Sequence, residues 1–518
     1  MYKNFYLKNR FELAIIIIIS FFVNFYYSSF GVLPQDTFAF YDTGYRVLNG
    51  ATPFNDYWTV SGPIIDYIQA VLFYLFGTSW KIYILSGSIL NCLISLLFYF
   101  LLKVYKLENK LSLFYVLCFS ILANPSMGSP FPDHFSAFFS LAGVFLFLIA
   151  AKLNKRIFWL LIPFLFFIAF FSKQSPSSYL FLVILISSII YLLYFKKFDF
   201  IKYFFLSSVI CFSFLFLYLI INNIDYENFL IQYIFFPKTI ADGRIENFLS
   251  SPIDILLRFK FIFMILLILI SILFFQIFKN KNIQQKEFFL INISLFLTSL
   301  SLIFHQVLTK NFIFIFFLIP IICSLLNLYF LKYLNFNKRY ISIFFISFTL
   351  VLTTKYHLRF NEDRKMLNLE KINLDFSIDA KNLDPSLKGL KWITKENAEQ
   401  SSNEIEILKE GLNVIKKDKS NKMMMSGYLF FSAITKEDLN NPSRWPSIGD
   451  ASNPNKLNMY HDYYKNFIKN LIFKKQIKSL YSTWDNRDDI FLEIFKENCI
   501  ETIIINDFLT KHDITNCY

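Results

Sequence analysis

The sequence predicts a polytopic α-helical membrane protein with a small α/β domain at its C-terminal end. Three observations predict it. Hydrophobic residues make up 55% of the 518 residues against 17% charged, and they fall in long runs, a pattern that soluble globular chains rarely show. The short loops between these runs alternate between basic clusters and segments rich in acids and prolines. From about residue 356 onward the long apolar runs stop, and charge and Asn rise.

Apolar runs near 11–33, 80–102, 111–123, 134–151, 157–172, 178–195, 202–222, 255–278, 287–308, 311–331 and 340–355 predict about eleven spans, judged against a requirement of roughly 20 residues per crossing. The runs at 111–123 and 340–355 are short, which leaves room for a re-entrant or tilted segment. The first run has a basic flank but no small-residue cleavage site, so it reads as a retained span.

The loop charges set the orientation. Lys3/Lys8/Arg10, Lys103/Lys106/Lys110, Lys152/Lys155/Arg156, Lys196/Lys197/Lys202, Lys279/Lys281/Lys286 and Lys332/Lys338/Arg339 occupy alternate loops. The positive-inside rule makes these loops cytoplasmic and puts the intervening loops outside. An odd number of spans then places the tail outside as well. The net charge of +13 is thus a topology signal, and no nucleic-acid partner is expected. Cys92, Cys118, Cys211 and Cys323 lie in apolar runs as packing residues, whereas Cys499 and Cys517 lie in the tail, where an oxidising space would let them pair. No Cys/His cluster suggests zinc.

The first outer loop, 34–79, concentrates the unusual residues. Pro34-Gln35-Asp36 precedes a helical run ending at Gly50, so Asp36 reads as an N-cap and Gly50 as the C′ residue. Asp42 and Arg46 are four apart and read as a surface pair. Asp36 and Asp42 are about 240° apart around a helix, so both face one cleft only if Asp36 precedes the first turn. There is no DxD motif, and a tightly bound metal is not implied. The second outer loop, Asn124 to His134, ends in Asp133, a helix N-cap or an acceptor contact, and in His134, which reads as an interfacial histidine. The third, Ser172-Lys173-Gln174-Ser175-Pro176, breaks a span beside Lys173 and gives it a polar pocket. The fourth, 223–254, carries Lys238, Asp242 and Arg244, and the fifth is short, with His305 and Lys310 near it. Arg258 reads as a snorkelling side chain at a span end or as a site cation.

In the tail, residues 356–400 read as a connector and 401–518 as an outer α/β domain. Glu404–Lys417 has helical spacing, Lys422–Phe431 reads as a strand and Met459–Lys475 as an amphipathic helix. A strand near Ile477–Tyr481, a helix near Asp488–Glu497 and the strand Glu501–Ile505 follow. With no Gly-rich phosphate loop, no nucleotide is assigned. The domain reads as a substrate-facing cap, and Ser443-Arg444-Trp445-Pro446 as a turn, with a sugar or lipid contact as the alternative.

At this point the first outer loop resembles a family. Asp36-x-x-x-Phe40, Gly44-x-x-Val47-Leu48-x-Gly50-x-x-Pro53-Phe54-x-Asp56 and Gly62-Pro63 resemble the first outer loop of bacterial GT-C membrane glycosyltransferases. Among them it resembles the protein-mannosyltransferase-like enzymes of glycosyltransferase family 39 and the aminoarabinose transferases. Pro132-Asp133-His134 and Phe171-Ser172-Lys173-Gln174 also look like family positions, so the likeness covers residues 1–355. It implies a GT-C-like catalytic membrane domain and a polyprenyl-phosphate sugar as donor. The acceptor would be an envelope lipid, glycan or protein on the outer face of the inner membrane, and transfer would be inverting.

Asp36 falls on the family's catalytic acidic position. Thr37 stands where a second acid is usual, leaving Asp42 as the candidate replacement. Lys173, Arg244 and Arg258 are the candidates for the donor phosphate. Arg46, Asp56, Asp133, His134 and Gln174 are those for acceptor or substrate contacts. No cofactor is firmly implied, and a divalent cation stays open. A transporter or flippase of lipid-linked saccharides is the alternative class, and a polysaccharide polymerase or ligase a third. The scarcity of mid-span charges counts against transport.

Overall fold

The structure, a computed structural model, describes residues 9–123, 128–246, 252–279, 283–309, 315–333, 338–446, 451–483, 489–495 and 499–515. Lys3, Lys8, Lys281, Lys310, Cys517 and 124–127 of the second outer loop lie outside the described residues.

The membrane part is built from helices α1 (Arg10–Tyr27), α2 (Pro34–Leu48), α3 (Ile64–Phe76), α4 (Trp80–Val104), α5 (Asn109–Leu122), α6 (Pro132–Leu153), α7 (Arg156–Phe170), α8 (Gln174–Tyr194), α9 (Ile201–Ile221), α10 (Tyr226–Leu230), α11 (Phe236–Glu246), α12 (Pro252–Arg258), α13 (Lys260–Lys279), α14 (Ile283–Thr309), α15 (Leu318–Tyr333) and α16 (Lys338–His357). Each of the eleven predicted spans overlaps one of these helices, and the run at 255–278 extends over both α12 and α13. Among the described residues, eight helices are long and apolar enough to cross a membrane, and α5, α7 and α13 are shorter apolar helices. The fourth short apolar helix, α3, lies within the first outer loop. It buries Ile65, Asp66, Gln69, Ala70 and Phe73 and exposes Val71, Tyr74, Leu75 and Phe76, as a helix lying in a membrane interface would.

Helix α6 forms the centre of the bundle, packed against α4, α7 and α8. Its small residues permit this. A Cβ added at Gly143 would meet the Phe166 ring of α7 at 2.6 Å, and small residues let membrane helices approach closely. Polar side chains stitch the bundle where water is absent. Asn91 of α4 donates to the carbonyls of Ser20 in α1 (3.1 Å) and Ser120 in α5 (3.0 Å).

The two ends of the bundle differ in the residues they gather. At one end the basic loops touch one another: Lys152 pairs with Glu287 at 2.9 Å, Lys332 donates to the carbonyl of Tyr105, and Asn109 donates to Asn9 and Glu12. At the other end lie α2, α3, the starts of α6 and α8, the end of α14, and the tail.

The tail begins with short 3₁₀ turns and the strand pair β1 (Ile378–Asp379) and β2 (Lys391–Trp392). Strand β2 also pairs with the link between α1 and α2, where Gly31 and Val32 donate to the carbonyls of Lys391 and Ile393. The following unit contains α17 (Ser401–Lys417), α18 (Phe431–Thr435), α19 (His461–Lys474) and α20 (Asp489–Ile494). They surround a four-stranded sheet of β3 (Lys422–Met425), β4 (Ser479–Thr483), β5 (Ile500–Ile504) and β6 (Leu509–Ile514), in the order β3-β4-β6-β5. The β3–β4 pair is parallel and the other two pairs are antiparallel. Strand β6, which the sequence reading lacked, is the third strand of that order. Cys499 is disulfide-bonded, whereas Cys92, Cys118, Cys211 and Cys323 are free.

Candidate functional site

Helix α2 starts one turn earlier than its charges suggest. Leu33 is the N-cap and Pro34 takes the first turn, where its missing N–H costs nothing. Asp36 is therefore inside the first turn and is not the cap. Thr37 does the reciprocal work, its Oγ1 accepting from the Leu33 N–H at 2.9 Å. Gly50 follows the Asn49 C-cap at φ +93°, the left-handed C′ position its sequence context predicts.

The first turn of α2 opens onto a cavity of about 700 Å³. Asp36 and Gln35 line one side of it. Asp133 from the start of α6, Lys173, Gln174 and Ser175 from the α7–α8 junction, and Lys238 and Arg244 from α11 line the rest. Phe131, Phe170, Tyr179, Ile234 and Leu308 give it apolar walls, and Trp445, Ala451 and Ser452 of the tail close a further side. Two carboxylates and three cations thus share one chamber at one end of the bundle.

Asp133 is the second residue of α6, after the Phe131 cap, so it is not the N-cap. Its carboxylate is buried and divided between two partners. One oxygen accepts from Lys173 Nζ at 2.6 Å, and the other lies 2.9 Å from His305 Nε2. The far ring nitrogen of His305, Nδ1, lies 2.7 Å from Ser175 Oγ. Gln174 braces the opposite wall, donating to the carbonyls of Val60 (3.0 Å) and Tyr233 (2.6 Å).

Five of the sequence candidates stand apart from the cavity lining. Asp42 and Arg46 are buried rather than a surface pair, 3.9 Å apart. Arg46 instead reaches the tail, pairing with Asp438 at 2.8 Å and donating to the carbonyl of Asn441 at 2.6 Å. Burial pushes the Asp42 carboxyl up to about 6, against the pull of Arg46. Asp56 accepts from the Thr52 N–H at 2.9 Å and faces Lys474 and Lys475. Although burial opposes it, these contacts hold its pKa below the usual value. Arg258 pairs with Asp254 at 2.8 Å on an exposed face of α12. His134 is buried, with its ring edge-on to Phe138.

The turn at Ser443–Pro446 does more than reverse the chain. Arg444 is buried and pairs with Asp66 of α3, donates to the carbonyl of Ser61 at 3.1 Å, and stacks on Phe40 at 4.8 Å. Asp66 also accepts from Tyr57 (2.9 Å) and from Thr43 (2.5 Å). Burial still raises its pKa, against Arg444 and those donors. Trp58 donates to the Pro442 carbonyl at 2.7 Å, so the tail is hydrogen-bonded to the first outer loop beside the cavity. The clearest sequence signal for this latch was Asp66 itself, an acid within an otherwise apolar helix.

Neither a protein-family model nor a curated protein sequence matches the chain. Among solved structures, the chain is similar to the crystal structure of ArnT from Cupriavidus metallidurans bound to undecaprenyl phosphate. The similarity covers 98% of each chain at 10% sequence identity, with a TM-score of 0.47. The chemistry is therefore argued from this chain's own residues. Among the described residues, no group of three or more His, Cys, Asp or Glu side chains is placed to hold a metal ion.

Proposed function

We propose that the chain is a membrane glycosyltransferase that moves a sugar from a polyprenyl-phosphate donor to an envelope acceptor on the outer face of the inner membrane. One observation carries this reading: Asp36 shares a cavity of about 700 Å³ with Lys173, Lys238 and Arg244 between partly apolar walls. That volume suits a sugar phosphate with the start of its lipid chain. Asp36 takes the proton of the acceptor hydroxyl as its oxygen attacks the anomeric carbon. The bond from that carbon to the phosphate oxygen breaks, and the electron pair leaves on the phosphate. Lys173 and Arg244, with Lys238 beside them, balance the charge that collects there. A single displacement of this kind inverts the anomeric centre.

The orientation rests on the basic loops, which gather at the end of the bundle opposite the cavity and favour a cytoplasmic placement of that end. The bonded Cys499 agrees with a tail in an oxidising space. The test is turnover by the purified protein on polyprenyl-phosphate sugars and, in parallel, on polyprenyl-diphosphate oligosaccharides. Transfer from the first class, lowered about 100-fold or more by Asp36→Asn, supports the reading. Full activity of that variant removes Asp36 from the chemistry. Turnover of the diphosphate class alone makes the protein a polymerase or ligase instead, and lipid translocation without transfer makes it a flippase.

A further inference from the structure

The chain of contacts Ser175–His305–Asp133 ends in the cavity, and one detail of it matters. His305 is fully buried and engaged at both ring nitrogens, Nε2 by Asp133 at 2.9 Å and Nδ1 by Ser175 at 2.7 Å. Ser175 lines the cavity, as do Asp133 and Lys173, whereas His305 sits behind them. Ser175 also departs from helical geometry (φ −114°, ψ 131°) where α8 begins, so its hydroxyl is presented at the break between two helices.

The protonation state of His305 dictates what Ser175 can offer. Asp133 carries a carboxylate toward Nε2, so that nitrogen keeps its proton and donates. In the neutral ring Nδ1 is then an acceptor, and the Ser175 O–H must point inward to satisfy it. The hydroxyl then turns only lone pairs to the cavity, and lone pairs repel an anion. When the ring gains a second proton, Nδ1–H donates to Ser175 Oγ and the hydroxyl proton is released to point into the cavity. Burial and the cations Lys173 and Arg244 oppose a second proton on the ring and Asp133 favours it, so the proton is taken up together with the anion that fills the cavity.

We propose that Ser175 is a phosphate-binding residue of the cavity, turned from acceptor to donor by protonation of His305, with Asp133 as the positioning residue that fixes the ring. This rests on the donor reading above and adds to it a proton taken up when phosphate binds. The added bond joins a hydroxyl to a phosphate oxygen in a site shielded from water, and charge-assisted bonds of this kind are strong.

The test is binding of two short lipid phosphates to the full-length protein in detergent, by calorimetry, at about pH 5.5 and about pH 8. One probe is farnesyl phosphate. The other is the farnesyl methyl phosphodiester, which stays a monoanion throughout, so that any pH dependence of its binding belongs to the protein. The wild type is expected to bind the diester about tenfold more weakly at the higher pH, a factor equal to about 1.4 kcal/mol, and to take up protons on binding at intermediate pH. His305→Gln and the smaller change Ser175→Ala are each expected to abolish both effects. A wild-type affinity independent of pH, or a pH dependence that survives Ser175→Ala, overturns the proposal while leaving the donor reading intact. Binding of neither probe at either pH overturns both.

Discussion

Single residues decide how the first outer loop is used. Thr37 occupies a position where an acid was the family expectation, and the structure gives it a local task, closing the helix start through the Leu33 N–H. Asp36 and Asp42 part company as helix geometry requires, Asp36 at the cavity and Asp42 buried beside Arg46. Burial holds the Asp42 proton up to about 6, whereas the unfolded chain gives it up near 3.8. The folded state therefore binds more protons between those values. The stability from this group is fully present below about pH 4 and lost as pH rises through 6, to the extent of about 3 kcal/mol. Asp42→Asn removes the group that must ionise. Its thermal midpoint should come close to that of the wild type near pH 3 and exceed it near pH 7.5. A variant less stable than wild type at the higher pH would show that Arg46 needs the Asp42 charge despite its contact with Asp438.

At the scale of elements, the loop after α2 approaches the end of α7 backbone to backbone. Gly62 N–H donates to the Ser172 carbonyl and Ile64 N–H to that of Phe171, each at 3.2 Å. A Cβ on Gly62 would lie 1.8 Å from the Phe171 carbonyl oxygen, a distance that two backbones resolve only by separating. Gly62→Ala should lower the thermal midpoint far more than Gly50→Ala. Gly50 has open space around it, and only its φ of +93° resists a side chain, a cost of about 1 kcal/mol. Equal shifts for the two variants would mean that the close approach to α7 does not hold the loop.

The start, end and glycine cap of α2 were legible in the sequence to within one turn. Helix α3 was not, for a physical reason. A soluble amphipathic helix buries apolar residues and exposes polar ones, but α3 buries Asp66 and Gln69 and exposes Tyr74, Leu75 and Phe76. The helical period is present, but its polar positions, Asp66 and Gln69, face inward, so a reading that puts apolar residues inside does not find it. Strand β6 escaped because Lys511 and Asp513 interrupt it. Those charges are satisfied in the fold by one another and by the pairing of Lys511 with Asp418.

For the whole molecule, the alternation of loop charge was readable because it depends only on sequence order and sign. The sequence reading made the tail a cap, but the contact that latches it was not readable, because it joins residues 378 positions apart, Asp66 and Arg444. That contact makes a prediction about assembly. Arg444→Ala leaves the Asp66 carboxylate buried with only Tyr57 and Thr43 to donate to it. Breaking such a pair from one side costs about 3–5 kcal/mol. The variant should melt at a markedly lower temperature, expose its tail to protease, and lose transfer activity because Trp445 no longer walls the cavity. Removing the second charge tests whether the loss is electrostatic. Asp66→Asn combined with Arg444→Met leaves no charge at this contact and keeps the side-chain volume, so it should regain most of the stability. Activity returns with it only if docking of the tail, rather than the Arg444 guanidinium itself, is what the site requires. A double variant as unstable as the sum of the two single ones would show that the guanidinium's bonds to the Ser61 carbonyl and its stacking on Phe40, rather than its charge pairing, hold the tail in place.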